Sequence, residues 1–93
     1  MLVVWLPMLA TDSRDAWRRG TVRGRQFWDG DRVVGRYLAD VNLGGFGYAG
    51  VVWDAWFLFG RDADWSSEPP APIGSGSTVA GTTDDLARAL RRL

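Results

Sequence analysis

The sequence contains no cysteine, histidine or lysine: all 11 basic side chains among its 93 residues are arginine. Without cysteine, no disulfide, thiol redox chemistry or thiolate metal site can form within the chain. Without histidine, catalysis by an imidazole base is excluded as well. Because lysine is also missing, most of the residue types that act as nucleophiles or bases in enzymes are absent.

The chain also lacks an excess of charge, since 11 acidic residues balance the 11 arginines. This balance removes the simplest argument for binding nucleic acid or an anionic membrane. The apolar start at residues 2–6 is too short to span a bilayer and lacks the basic flank of a signal peptide. We therefore expect a cytoplasmic protein without a nucleic-acid partner, a membrane partner or a cofactor.

The longest apolar run lies between Gly50 and Gly60 and is dense in aromatic and β-branched residues. Such a run predicts a single strand rather than a helix. Because both of its faces are apolar, we expect the strand to be central and covered on both sides. Asp54 is its one charged residue, and a buried carboxylate needs a partner. The predicted partner is an arginine, Arg25 or Arg32, or else backbone N–H groups that the carboxylate caps.

The other elements are predicted from apolar spacing and from capping residues. Residues 2–6 form a strand that ends at Pro7, residues 11–20 a helix, and residues 25–28 a shorter strand. Asp29, Gly30 and Asp31 predict a turn and a helix cap, followed by a helix over residues 31–41.

The second half predicts an irregular excursion rich in proline, glycine and serine at about residues 60–77, then a short edge strand at 77–80. Thr82 or Thr83 is expected to cap a final helix, with acidic residues in its first turn and arginines near its end. The predicted order is βαβαββα in one α/β domain, residues 1–93, with parallel strands, helices on both faces and a late hairpin.

This order resembles the thioredoxin-like superfamily, and specifically its peroxiredoxin branch. In that branch an apolar strand leads into Thr-Asp-Ser and then a helix with Ala-Trp, as at residues 3–6, 11–13 and 16–17 here. A short strand closed by Asp follows, as at residues 27–29, and later an aromatic strand ending near Gly, as at 56–60. The resemblance implies a thioredoxin-like sheet over nearly the whole chain.

The chain departs from the family where the redox chemistry would be. The strand and helix that carry the family's reactive cysteine have no counterpart here, and the proline expected before the aromatic strand is missing. The resemblance therefore implies a truncated thioredoxin-like fold without redox activity. In the family, the missing strand lies between the counterparts of residues 2–6 and 51–59. A homo-oligomer, or a partner chain that completes the sheet, is expected to fill this gap.

The resemblance also indicates where a ligand would bind. Asp54 would lie at the family's active-site end of the sheet, as a polar anchor in an aromatic pocket. The predicted ligand-binding residues are Asp54, Thr11, Asp12, Ser13, Arg25 and Arg32. On the irregular excursion, the predicted interface residues are Trp65, Pro69 and Pro70.

Two further motifs have alternative interpretations. Residues 45–50 spell G-x-G-x-x-G, but a strand follows this motif instead of preceding it, which favours a connector over a dinucleotide loop. Asp29 and Asp31 resemble the D-x-D of haloacid-dehalogenase-like phosphatases, which hold magnesium beside an aspartate nucleophile. A turn with a helix cap is the favoured interpretation. The expected function is a non-catalytic, cysteine-free interaction module, and the alternative is a small metal-dependent hydrolase or phosphatase.

Overall fold

The computed structural model describes residues 2–8 and 25–93, and within them the chain forms two helices and two small sheets. The first predicted helix, at residues 11–20, lies outside the described residues. The elements are β1 (Leu2–Trp5), β2 (Arg25–Trp28), α1 (Val33–Asp40), β3 (Ala55–Leu58), β4 (Gly74–Ser77) and α2 (Thr83–Arg91), with 3₁₀ turns at Leu43–Gly45 and Ala80–Thr82.

The first sheet pairs β1 with β2 in parallel, as the alternation of strands and helices predicts. Leu2 lies opposite Arg25 and Trp5 opposite Trp28. The ladder extends past β2, because the backbone N–H of Asp29 donates to the carbonyl of Trp5 at 2.6 Å. A cross-strand bond from Trp5 Nε1 to Gln26 Oε1, at 3.0 Å, supports the same register.

Asp29 caps helix α1, as the sequence predicts, and the helix itself begins at Val33. The carboxylate accepts the backbone N–H groups of Val33 at 2.8 Å, Val34 at 2.9 Å and Gly35 at 3.3 Å. The first N–H groups of a helix have no partner within it, so these bonds satisfy three of them. Gly35 lies buried where a Cβ would come within 3.0 Å of the Val52 carbonyl, so the missing side chain allows this close approach.

The second sheet pairs β3 with β4 as an antiparallel hairpin, which confirms the predicted late strand pair. The prediction of one strand over residues 51–59 is wrong, because β3 covers only Ala55–Leu58. Asp54 has a left-handed backbone with φ of 52°, which an extended strand cannot contain. The partner strand lies at Gly74–Ser77 instead of residues 77–80.

Helix α2 has the predicted charge pattern, with Asp84 and Asp85 in its first turn and Arg88 and Arg91 in its last. Thr82 precedes it but does not cap it through its side chain. Its hydroxyl donates to the carbonyl of Thr78 at 2.6 Å and accepts the indole N–H of Trp56 at 2.8 Å. That second bond ties the start of α2 to β3.

The described residues form two separate two-stranded sheets, whereas the sequence predicted a single sheet. Their apolar core is correspondingly small, since only Leu43 and Val52 are buried large hydrophobic residues in the described part of the chain. Trp53 belongs to the apolar run that was expected to be covered on both sides, yet it is 40% exposed. Leu90 on α2 and Leu93 after it are 50% and 40% exposed. Within residues 2–8 and 25–93, no helix has the length and apolarity to cross a membrane.

Candidate binding site

A large apolar cavity lies between the two sheets. Its volume is about 1680 Å³, and both helices and three of the four strands contribute to its wall. All residues from 2 to 6 line it on one side and all residues from 52 to 59 on another. Because consecutive strand residues point to opposite faces, the cavity reaches both faces of β1 and of β3.

The wall of this cavity combines exposed apolar side chains with very little charge. Val33 on α1 is 61% exposed, Trp53 before β3 is 40% exposed, and Leu90 on α2 is 50% exposed. Of the described residues that line it, Asp29 and Asp54 alone are charged. Contiguous exposed apolar surface of this kind marks interaction sites in soluble proteins.

Asp54 lies at the entrance to β3 and is exposed, so the prediction of a buried carboxylate is wrong. Its left-handed backbone lets Oδ1 accept the backbone N–H of Val79 at 3.0 Å. This bond holds the segment after β4 against the start of β3. Because the group is solvated, it needs no cationic partner.

Tyr48 forms a second polar contact beside Asp54. Its hydroxyl donates to the carbonyl of Trp53 at 2.8 Å and lies within hydrogen-bonding distance of Ser77 Oγ. The two contacts join the glycine-rich connection to Trp53, just before β3, and to Ser77 at the end of β4. Trp53 and Asp54 line the cavity, so these polar contacts hold part of its wall in place.

The remaining predicted ligand-binding residues do not assemble around Asp54 in the described structure. Arg25 lies against Phe27, with its guanidinium carbon 5.9 Å from the ring centre. Arg32 donates from Nε to the carbonyl of Pro7 at 2.7 Å. Both arginines are therefore engaged at the first sheet and α1, and neither bonds to Asp54. Thr11, Asp12 and Ser13 lie outside the described residues.

The predicted interface residues lie on the irregular segment between β3 and β4. Trp65 is 51% exposed and lines the cavity, and its ring centre is 6.3 Å from that of Tyr37 on α1. Pro69 and Pro70 are half-buried and do not line the cavity. Trp65 is thus the member of this group that a partner in the cavity would meet.

Of the two aspartates of the alternative hydrolase interpretation, Asp29 caps helix α1 and Asp31 bonds through its backbone. Both carboxylate oxygens of Asp29 accept backbone N–H groups of α1, while the backbone carbonyl of Asp31 accepts a bond from Arg36 Nη2. In the part of the chain that the structure describes, no three acidic residues come close enough together to hold a metal ion. The hydrolase alternative stays a prediction.

The sequence analysis missed Tyr48, Ser77 and Val33 as parts of this site. Tyr48 and Ser77 are separated by 29 positions, and their contact depends on the pairing of β3 with β4, which periodicity does not specify. Val33 is 61% exposed at the start of α1, which the apolar spacing of the sequence does not predict. Tyr48 in a glycine-rich connection was the one local signal, since a tyrosine hydroxyl usually finds a hydrogen-bond partner.

Comparison with known proteins gives no match to this chain among family models, curated proteins or solved structures.

Proposed function

We propose that the chain is a non-catalytic interaction module of thioredoxin-like order that acts as a homo-oligomer. The observation that carries this proposal is the apolar cavity between the two sheets, whose wall includes Val33, Trp53 and Leu90, each 40% exposed or more. Removing such surface from water contributes about 25 cal/mol per Å². A partner that covers the cavity would gain this free energy.

The size of the cavity favours a macromolecular partner over a small ligand. Small-molecule sites occupy roughly 300–1,000 Å³ and place several polar groups around the ligand. This cavity has a volume of about 1680 Å³, and its two charged lining residues, Asp29 and Asp54, already accept bonds from backbone N–H groups. A protein surface fits such a wall better than a metabolite does.

The thioredoxin-like order is supported by the parallel pairing of β1 with β2, the antiparallel pairing of β3 with β4, and the terminal helix α2. In the resembling family, a further strand lies between the counterparts of β1 and β3. Residues of both strands line the cavity. A second chain that covers this wall would also provide strands next to β1 and β3.

The absence of cysteine, histidine and lysine supports the non-catalytic part of the proposal, because it leaves few nucleophiles and bases. Thiol-independent turnover of any substrate that is lost in Asp54→Ala would contradict it.

The test is the oligomeric state at micromolar concentration, measured by light scattering on the whole chain. Val33 and Ile73 form a matched pair, since both are β-branched and 61% exposed, but only Val33 lines the cavity. We expect Val33→Ser to raise the dissociation constant about a hundredfold, because each of the two copies loses one valine side chain and each loss is worth about tenfold. Ile73→Ser should leave it unchanged. A well-folded monomer at these concentrations would overturn the homo-oligomer.

A further inference from the structure

The outer edge of β1 carries backbone groups that no described strand uses. The carbonyl of Trp5 accepts the N–H of Asp29, so Trp5 directs its backbone groups toward β2. Successive strand residues direct these groups to opposite edges. Val3 therefore also faces β2, whereas Leu2, Val4 and Leu6 direct their N–H and C=O groups away from it. Within residues 2–8 and 25–93, β1 pairs with β2 alone.

Among the described residues, this outer edge lacks the devices that keep sheet edges from pairing. Soluble proteins protect such edges with charged residues, bulges or a covering element. Residues 2–8 read Leu-Val-Val-Trp-Leu-Pro-Met and contain no charge, and Pro7 comes only after the strand has ended. All residues from 2 to 6 also line the cavity that the proposed function assigns to a partner. Nothing in the described residues therefore prevents another strand from pairing with this edge of β1.

The edge residues are also symmetric about Val4, since Leu2 and Leu6 flank it at equal distance. An antiparallel pair of identical strands related by a two-fold axis places each residue opposite its mirror position. With the axis at Val4, Val4 meets Val4 of the second copy and Leu2 meets Leu6 of the second copy. Val3 meets Trp5 of the second copy in the remaining pair. None of these pairs carries a charge, so identical strands pair without like charges facing each other.

We propose that two copies of the chain associate by antiparallel pairing of β1 with β1 around Val4, which forms a four-stranded sheet. This inference rests on the proposed homo-oligomer and names the element that forms its centre. Leu2 and Val4 share one face of the first sheet with Phe27. Leu2 is 63% exposed and Phe27 50% exposed, and the longer sheet brings the same face of the second copy beside them.

The absence of cysteine makes crosslinking a direct test. In a hydrogen-bonded antiparallel pair the two Cα atoms are about 5.5 Å apart, which lies within the range that a disulfide spans. Val4→Cys, oxidised in the whole chain at micromolar concentration, should give a covalent dimer as its main product. Ile73→Cys is the control, since Ile73 is 61% exposed and lies outside the cavity. It should crosslink only by random collision, at least tenfold more slowly.

Hydrogen exchange on the unmodified chain provides a readout that does not depend on a variant folding. The amides of Val4 and Leu6 should become at least tenfold more protected as the concentration rises through the dissociation constant. The amides of Val3 and Trp5 bond within the sheet and should be protected at every concentration. This alternation is specific to pairing at the outer edge of β1.

The outcomes separate this inference from the proposed function. A dimer in which Val4→Cys crosslinks no faster than Ile73→Cys, and in which Val4 and Leu6 exchange freely, would overturn the β1 pairing and leave the homo-oligomer standing. A monomer in light scattering would overturn both. Rapid crosslinking of Val4→Cys together with concentration-dependent protection of Val4 and Leu6 would establish the pairing.

Discussion

Asp54 shows how one residue can be singled out correctly for the wrong reason. The sequence predicted a buried charge in the middle of a strand, which a partner arginine would neutralise. In the structure it is exposed, ends the extended backbone with φ of 52°, and accepts the N–H of Val79. Aspartate and asparagine tolerate the left-handed region better than other side chains do. The polar residue therefore determines where β3 begins.

The Asp54 variants have a defined order of stability. Asp54→Asn should lower the free energy of unfolding by less than about 0.5 kcal/mol, because asparagine keeps the acceptor and the backbone preference. Asp54→Ala should cost about 1–2 kcal/mol, since it loses the bond to Val79 and places alanine at positive φ. Asp54→Gly keeps the backbone freedom and isolates the bond. Chemical denaturation measures all three.

A loss of about 3–5 kcal/mol in Asp54→Ala would contradict this description, because a cost of that size signals a buried charge left without its partner. In that case Asp54 would return to the buried ion pair that the sequence first predicted.

At the scale of the elements, helix α1 depends on a cap that lies outside the helix itself. Asp29 is four residues before Val33 and bonds to three backbone N–H groups. Asp29→Ala should destabilise the fold by about 0.5–2 kcal/mol, the usual cost of removing a cap. Asp31→Ala is the matched control, since only the backbone carbonyl of Asp31 makes a described bond, and it should change stability by less than about 0.5 kcal/mol.

Circular dichroism and chemical denaturation measure this difference. A thermal shift with magnesium, present in the wild type and absent in Asp29→Asn, would instead support the hydrolase alternative. The cap hypothesis is contradicted if Asp29→Ala and Asp31→Ala are equally stable.

The same elements show what the sequence can and cannot predict. The bounds of β2, the Asp29 cap and the charge pattern of α2 follow from local patterns, and the structure has them. The parallel and antiparallel directions of the two pairings follow from the predicted order of strands and helices. β4 was predicted three residues too late, because Gly74–Ser77 reads Gly-Ser-Gly-Ser, which has low strand propensity.

The position of β4 depends on a long-range contact. A Cβ at Gly76 would collide with the Trp56 indole and would lie 2.5 Å from Thr82 Oγ1. Only glycine therefore allows β4 to pack this closely against the tryptophan. Contacts between residues far apart in sequence leave no periodic signal. The separation of the sheets is of the same kind. The separation of the sheets depends on which strands pair with each other. An apolar run predicts that a strand is buried, but it does not specify the neighbouring strand.

At the scale of the whole molecule, the small core has a thermodynamic consequence. Only Leu43 and Val52 are buried large hydrophobic residues in the described part of this 93-residue chain. A small domain gains limited free energy from burial within one chain. If a second copy covers the cavity, part of the stabilisation comes from association and must depend on protein concentration.

We therefore expect the melting temperature to rise by about 3–5 °C for each tenfold increase in protein concentration. A tenfold increase stabilises each dimer by about 1.4 kcal/mol, which is about 0.7 kcal/mol for each chain. The melting temperature of a domain of this size shifts by roughly 4–8 °C per kcal/mol. Calorimetry over a hundredfold range of concentration measures this slope. Val33→Ser should reduce the slope at low concentration, where its dimer dissociates, and Ile73→Ser should keep it. A melting temperature that stays constant over the whole range would mean that the single chain is stable with its cavity uncovered, and the cavity would then contribute nothing to association.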